Sequence, residues 1–155
     1  MNARIDLTPY LNSPAGKAMF GLQQVVHNSG LEHSLVSLVK IRASQINGCA
    51  YCIDMHTKDA RAEGETEQRI YALNAWRETP FFSERERAAL EWTEALTLIS
   101  QNQVPDEIYD RVRKHFDEKD LVSLTMAAIA INSWNRLAIT FRAPAGSYQR
   151  QAVAV

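Results

Sequence analysis

The stretch KIRASQINGCAYCIDMHTKDARAEG, residues 40 to 64, holds both cysteines of the chain, three positions apart, and a histidine four positions beyond the second. Nothing in residues 50 to 63 breaks a helix, so the pattern predicts one there, with Cys49 at or near its first turn and Cys52 one turn in. Helix N-termini carry unsatisfied amides and a partial positive charge, which favour thiolate over thiol. His56 stands at i+4 from Cys52, on the same face one turn along, but about two turns from Cys49. An imidazolium there would stabilise a Cys52 thiolate, and a neutral imidazole could take its proton. The spacing therefore favours Cys52 as the activated sulfur.

Three chemistries use these residue types. A dithiol that cycles to a disulfide needs only the pair and an activator, and all are present. Zinc could take two thiolates and an imidazole, but tetrahedral closure needs a fourth ligand and no second Cys/His pair follows at metal spacing. Two small buried hydrophobes beside a core histidine are the plain structural alternative. The redox reading is favoured, because the chain has no other cysteine.

Working outward, 155 residues suit one domain able to bury about two-thirds of its unfolded surface. Seventeen basic against eighteen acidic side chains give no broad positive field, which argues against nucleic acid and for small-molecule or protein partners. Residues 1 to 20 lack the layout of a secretory signal, and the longest apolar run, MAAIAI at 126 to 131, falls far short of the roughly 20 residues that span a bilayer. The expectation is a cytoplasmic protein without a membrane partner, in a reducing compartment that disfavours a purely structural disulfide.

Periodicity is helical nearly throughout, and no stretch alternates as a strand. Leu35, Leu38, Val39, Arg42 and Ile46 follow one helix face, and a second helix is expected from about 84 to 99. Ser83 with Glu86 reads as a capping box, and Pro105 followed by Asp106 and Glu107 as another helix start. Gly30, Gly64 and Thr79-Pro80 supply stops. Residues 119 to 142 are apolar on most of their circumference, as in a central helix buried by its own domain or a neighbouring subunit. The tail APAGSYQRQAVAV, from 143, reads as loose. One all-α domain spans 1 to 155, with its core at about 14 to 143.

Other side chains are assigned plainer duties. Gln45 and Asn47 are expected to cap and turn the chain ahead of Gly48, with positioning of a small substrate as the alternative. Trp134, Asn135 and Arg136 are expected to pack against a second subunit. His27, His33 and His115 lack metal spacing and read as surface histidines, and RAEGETEQR, residues 61 to 69, as a solvated helix boundary.

The residues 40 to 64 resemble the AhpD-like alkylhydroperoxidase branch of the carboxymuconolactone decarboxylase family, with its Cys-x-x-Cys-x-x-x-His segment. Weaker echoes occur in ERERAALEWTEALT and INSWNRLAITFR, so the likeness extends over most of the chain. It implies an all-helical AhpD-like domain that oligomerises through helices, as trimers or hexamers. By the same resemblance Cys52 attacks a peroxide and becomes a sulfenic acid, Cys49 resolves it to a disulfide, and His56 belongs to a proton relay. One position departs from the family: Ser37 stands where members usually carry a relay glutamate, and a serine cannot store a proton near neutral pH. Glu32 is turned about 140° away on an ideal helix. Glu91 and Glu94 are the candidate replacements. Tyr51 sits between the cysteines, where some members have another histidine.

The activity implied is an alkylhydroperoxidase-like, thiol-dependent antioxidant oxidoreductase that reduces a hydroperoxide and is re-reduced by a dithiol protein or small-molecule reductant. Sulfur carries both electrons, so no organic cofactor or metal is called for. The alternatives are a disulfide reductase or redox relay with weak peroxidase activity, which Ser37 would favour, and a non-enzymatic redox-sensing oligomer. Decarboxylation is the lesser expectation, since this branch is built around thiols.

Overall fold

The computed structural model describes residues 2 to 150. Eight α-helices follow in order: α1 (Pro14–His27), α2 (His33–Asn47), α3 (Ala50–Ala62), α4 (Glu67–Ala72), α5 (Glu84–Thr97), α6 (Ile99–Asn102), α7 (Asp106–Arg113) and α8 (Glu118–Phe141). Short 3-10 segments cover Thr8–Tyr10 and Leu73–Glu78. Among the described residues there is no strand, as the all-helical pattern predicts.

Local chemistry sets the starts. Ser13 precedes Pro14 and accepts from Gly16 N–H at the head of α1. Both bonds of the Ser83–Glu86 capping box are present at α5, and Asp117 accepts from Asp120 N–H to open α8. Each such cap contributes about 0.5–2 kcal/mol. Helix α7 begins directly after Pro105, with Asp106 and Glu107 in its first turn.

The fold is built around α2, which packs against α3, α5 and α8. Leu35, Val39, Ala89, Trp92, Leu124 and Ala127 belong to the largest buried cluster, which joins α1, α2, α5, α7 and α8. A second cluster sets Leu38 and Ile41 of α2 against Leu73, Trp76, Phe82 and Leu90. The third surrounds the two cysteines. Helix α8 buries Leu121, Leu124, Ala128, Ile131 and Asn135 on its inner side. It is not enclosed all round: Val122, Ile129 and Ile139 remain exposed on its outer side.

Two expectations need correction. Asn135 is not at a subunit surface; it is fully buried and hydrogen-bonded to α2. Trp134 packs within its own chain against Phe20 of α1, ring centroids 5.4 Å apart, while Arg136 alone is exposed and bonds back to Asn132. Residues 143 to 150 are not loose either, because the polar side of α3 binds them. Gly146 N–H donates to Asp54, Lys58 donates to the Tyr148 carbonyl, and the Tyr148 hydroxyl donates to Asp59. The rest of that tail, 151 to 155, lies outside the described residues.

Leu124 is fully buried in the largest cluster. Leu124→Ala should therefore cost about 2–5 kcal/mol by loss of transfer energy and cavity formation, read as a lowered midpoint in chemical denaturation.

Candidate functional site

The site begins with a chain reversal. Helix α2 ends at Asn47, and Gly48 takes a left-handed conformation, φ 69°, ψ 32°, that glycine adopts without a Cβ penalty. Cys49 then becomes the N-cap of α3, its amide donating to the Ser44 carbonyl at 2.9 Å. Cys52 follows at the third helical position. No side chain caps the first turn of α3, so the partial positive charge of its amides remains directed at the two sulfurs. Cys49 and Cys52 are paired as a disulfide, with Cα atoms 5.4 Å apart.

Both cysteines are buried, at 1% and 2% exposure. Ala43, Ile131 and Ala138 surround them, with Tyr51 and Ala143 packed at the edge. Behind this apolar pocket runs a ladder of side-chain amides and hydroxyls that ties the end of α2 to α8. Asn47 donates at 2.9 Å to both Asn132 and Asn135. Asn135 donates to Ser44 at 3.1 Å, and Ser44 donates to the Lys40 carbonyl. Asn132 in turn reaches Thr97 on α5. Asn47 is thus a bridge between helices, whereas the Gln45 side chain accepts from Arg42 on its own helix and its carbonyl accepts from the Gly48 amide at the turn.

His56 lies one turn beyond Cys52 on α3 and lines an open cleft of about 470 Å³. Ser37 and Lys40 of α2, Asp59 and Glu63 of α3, and Tyr148 of the C-terminal segment line the same cleft. Burial first, and then the Lys40 ammonium, push the His56 imidazole from 6.5 down to about 3. Of the two charge states that the sequence allowed, the structure therefore selects the neutral imidazole. Burial lowers Lys40 as well, partly offset by Glu63 and Asp59. Burial and then the bond to Asp59 raise the Tyr148 phenol to about 12, so it remains a donor.

The other acidic candidates are engaged elsewhere. Glu94 accepts from Trp76 Nε1 at 2.8 Å, from Arg42 at 2.8 Å and from Arg77 at 2.6 Å. Burial raises its carboxyl, but those bonds outweigh it and hold the group below the usual carboxylate range. Glu91 is paired with Arg111 of α7 at 2.8 Å, and Glu32 with Arg85 of α5. None of the three is among the residues lining the His56 cleft, while Ser37 is. His27 and His33 are exposed at the cleft mouth, their rings meeting edge-on at 5.0 Å. Among the described residues no group of three or more His, Cys, Asp or Glu could hold a metal ion.

Lys40, Asp59 and Tyr148 were not among the residues singled out from the sequence. Helical spacing could have found two of them: Lys40 follows Ser37 by three on α2, and Asp59 follows His56 by three on α3. Tyr148 carries no such signal, since its partner is 89 residues away.

This fold and this site define an all-helical dithiol protein with its Cys-x-x-Cys pair at the head of one helix. The chain belongs to the carboxymuconolactone decarboxylase family, whose model matches residues 14–95. It is 52% identical over 131 residues to the uncharacterized protein YdfG of Bacillus subtilis, covering 84% of this chain and 89% of that one. It is 34% identical over 68 residues to the alkyl hydroperoxide reductase AhpD of Hyphomonas neptunium, covering 44% of this chain and 36% of that protein. A solved structure from Agrobacterium tumefaciens, a protein of unknown function described as a candidate AhpD antioxidant defence protein, superposes with TM-score 0.90 at 42% identity. It covers 95% of this chain and all of that one. The AhpD-like resemblance and the all-helical fold it implied are thereby established.

Two measurements test this geometry. Asn135→Ala takes one partner from the Asn47 amide and one from the Ser44 hydroxyl, leaving them only Asn132 and the Lys40 carbonyl, and should destabilise the reduced protein by about 1–3 kcal/mol in chemical denaturation. Because His56 is neutral in the folded chain and titrates near 6.5 when unfolded, the unfolded state binds the extra proton as pH falls. Stability should therefore decline from about pH 6.5 toward 3, and His56→Asn should flatten the part between 6.5 and 5, above the carboxylate range.

Proposed function

We propose that the protein is a thiol-dependent antioxidant oxidoreductase that reduces hydroperoxides through a Cys49/Cys52 dithiol/disulfide cycle. The observation that carries this reading is the Cys49–Cys52 pair at the uncapped head of α3 with neutral His56 one turn on. In the cycle, Cys52 thiolate attacks the terminal oxygen of a hydroperoxide. The S–O bond forms, the O–O bond breaks, and the alcohol leaves with one proton. Cys49 then attacks the sulfenic sulfur and expels water, giving the disulfide. A dithiol protein or small-molecule reductant returns the two electrons, with no metal or organic cofactor. The AhpD relative and the Agrobacterium neighbour support the antioxidant assignment.

His56 serves as the base that relays the Cys52 proton. We place the protein in the cytoplasm; none of its described helices is long and apolar enough to cross a membrane. We also propose a homo-oligomer, a trimer or hexamer, for which the exposed Val122, Ile129 and Ile139 of α8 supply apolar surface. A second reading, a disulfide reductase or redox relay with weak peroxidase activity, is favoured by one observation: Ser37 lines the His56 cleft where the family supplies a carboxylate.

Intact mass of the reduced protein, before and after one equivalent of an organic hydroperoxide, tests the assignment. The wild type should lose two hydrogens, and Cys49→Ser should gain one oxygen at Cys52, whereas Cys52→Ser should remain unchanged. A dithiol that stays reduced with peroxide yet exchanges rapidly with a small disulfide would replace this reading with the second one.

A further inference from the structure

A neutral imidazole can pass a proton but does not hold one, so a peroxidase built on His56 needs a second group that does. This inference rests on the function proposed above. The cleft behind His56 offers few groups for that role. The Ser37 hydroxyl does not ionise near neutral pH. Glu32, Glu91 and Glu94 are each held by arginines outside the cleft. Within it, Asp59 and Glu63 are engaged by the C-terminal segment: the Tyr148 hydroxyl donates to Asp59 at 2.8 Å, and Arg150 stands 3.5 Å from Glu63 and 4.0 Å from Asp59.

Lys40 remains. It lies one turn after Ser37 on α2, half-buried, and lines the cleft with His56. Among the described residues no side-chain hydrogen bond or ion pair within 4.0 Å reaches its nitrogen, and the charges of Asp59 and Glu63 act on it from beyond that distance. Its own charge acts on His56. The C-terminal segment, by taking up the two carboxylates, leaves Lys40 without a close partner in the cleft that also holds the imidazole.

We propose that Lys40 is the proton store of this site: its ammonium favours the Cys52 thiolate and returns a proton, through His56, to the alkoxide released when Cys52 attacks a hydroperoxide. The step balances. Sulfur gives two electrons to the peroxide, forming S–O and breaking O–O. The Cys52 proton leaves through His56 to solvent as the thiolate forms; the alkoxide then takes a proton from His56, His56 takes one from Lys40, and solvent returns one to the neutral amine, so that none is gained or lost. The products are Cys52 sulfenic acid and an alcohol. Lys40 acts through His56 and is a positioning and proton-supplying residue rather than one that touches substrate. Partial burial suits a lysine to this exchange, while an arginine would keep the charge and refuse the proton.

The test uses reduced full-length protein in the Cys49→Ser background, so that Cys52 alone reacts, with Lys40→Met and Lys40→Arg added. Alkylation by iodoacetamide reads the thiolate and needs no proton for its leaving iodide; oxidation by tert-butyl hydroperoxide needs both. The pH profiles report on His56 and Lys40 together with His27, His33, Asp59, Glu63 and Tyr148, the titratable groups that face the cleft. Lys40→Met should move the alkylation profile up by about one pH unit and slow oxidation about a hundredfold at pH 7. Lys40→Arg should keep the alkylation profile and still oxidise slowly. An unmoved alkylation profile in Lys40→Met, or full-rate oxidation in Lys40→Arg, would overturn the proposal. If the parent protein ignores peroxide altogether, the function proposed above fails, and the alkylation profile of Lys40→Met still decides whether Lys40 sets the charge at Cys52.

Discussion

The structure depends on the polar ladder that locks the last turn of α2 to α8. Asn135 is completely buried, and a buried amide is tolerable only when its donors and acceptor are matched. Here Ser44 and Asn47 supply the match, on the turn that immediately precedes the reversal at Gly48. Because the ladder fixes where α2 ends, it also fixes where α3 begins, and with it the position of Cys49 as N-cap and Cys52 one turn in. An apolar pair at 47 and 135 could hold the helices together but would not set their register.

One turn further along α3 the problem is charge rather than packing. Lys40, Asp59, Glu63 and His56 share one cleft, and the same partial burial that lowers Lys40 also keeps His56 uncharged. An imidazolium would add a second positive charge to the cleft that already holds the Lys40 ammonium, where burial weakens solvent screening. The C-terminal segment adds to this balance by bonding Asp59 through Tyr148 and approaching Glu63 through Arg150. Its contacts with α3 therefore belong to the electrostatics of the site as well as to the fold.

Much of this was legible in the sequence, for reasons tied to local spacing. The helix carrying the cysteines, the capping box at Ser83 and the start after Pro105 all depend on residues within four positions of each other. The i+4 relation between Cys52 and His56 is of the same kind. What failed to show did so because it spans the chain. Asn135 looked like interface material because a polar residue in an apolar helix has no visible partner until α2 is laid beside it. Residues 143 to 150 looked loose because Asp54, Lys58 and Asp59 lie about ninety positions earlier. Glu91 and Glu94 looked available as acids because their arginines, Arg111, Arg42 and Arg77, are all on other elements.

By itself the sequence determined an all-helical chain with a dithiol at the head of one helix and an imidazole one turn along, since these follow from steric and hydrogen-bonding rules that act over single turns. The tertiary structure decided which charge state that imidazole holds, which acids are already spoken for, and which lysine shares its cleft. Those are properties of desolvation and of charges brought together from α2, α3 and the C-terminal segment, and they exist only once the helices are packed.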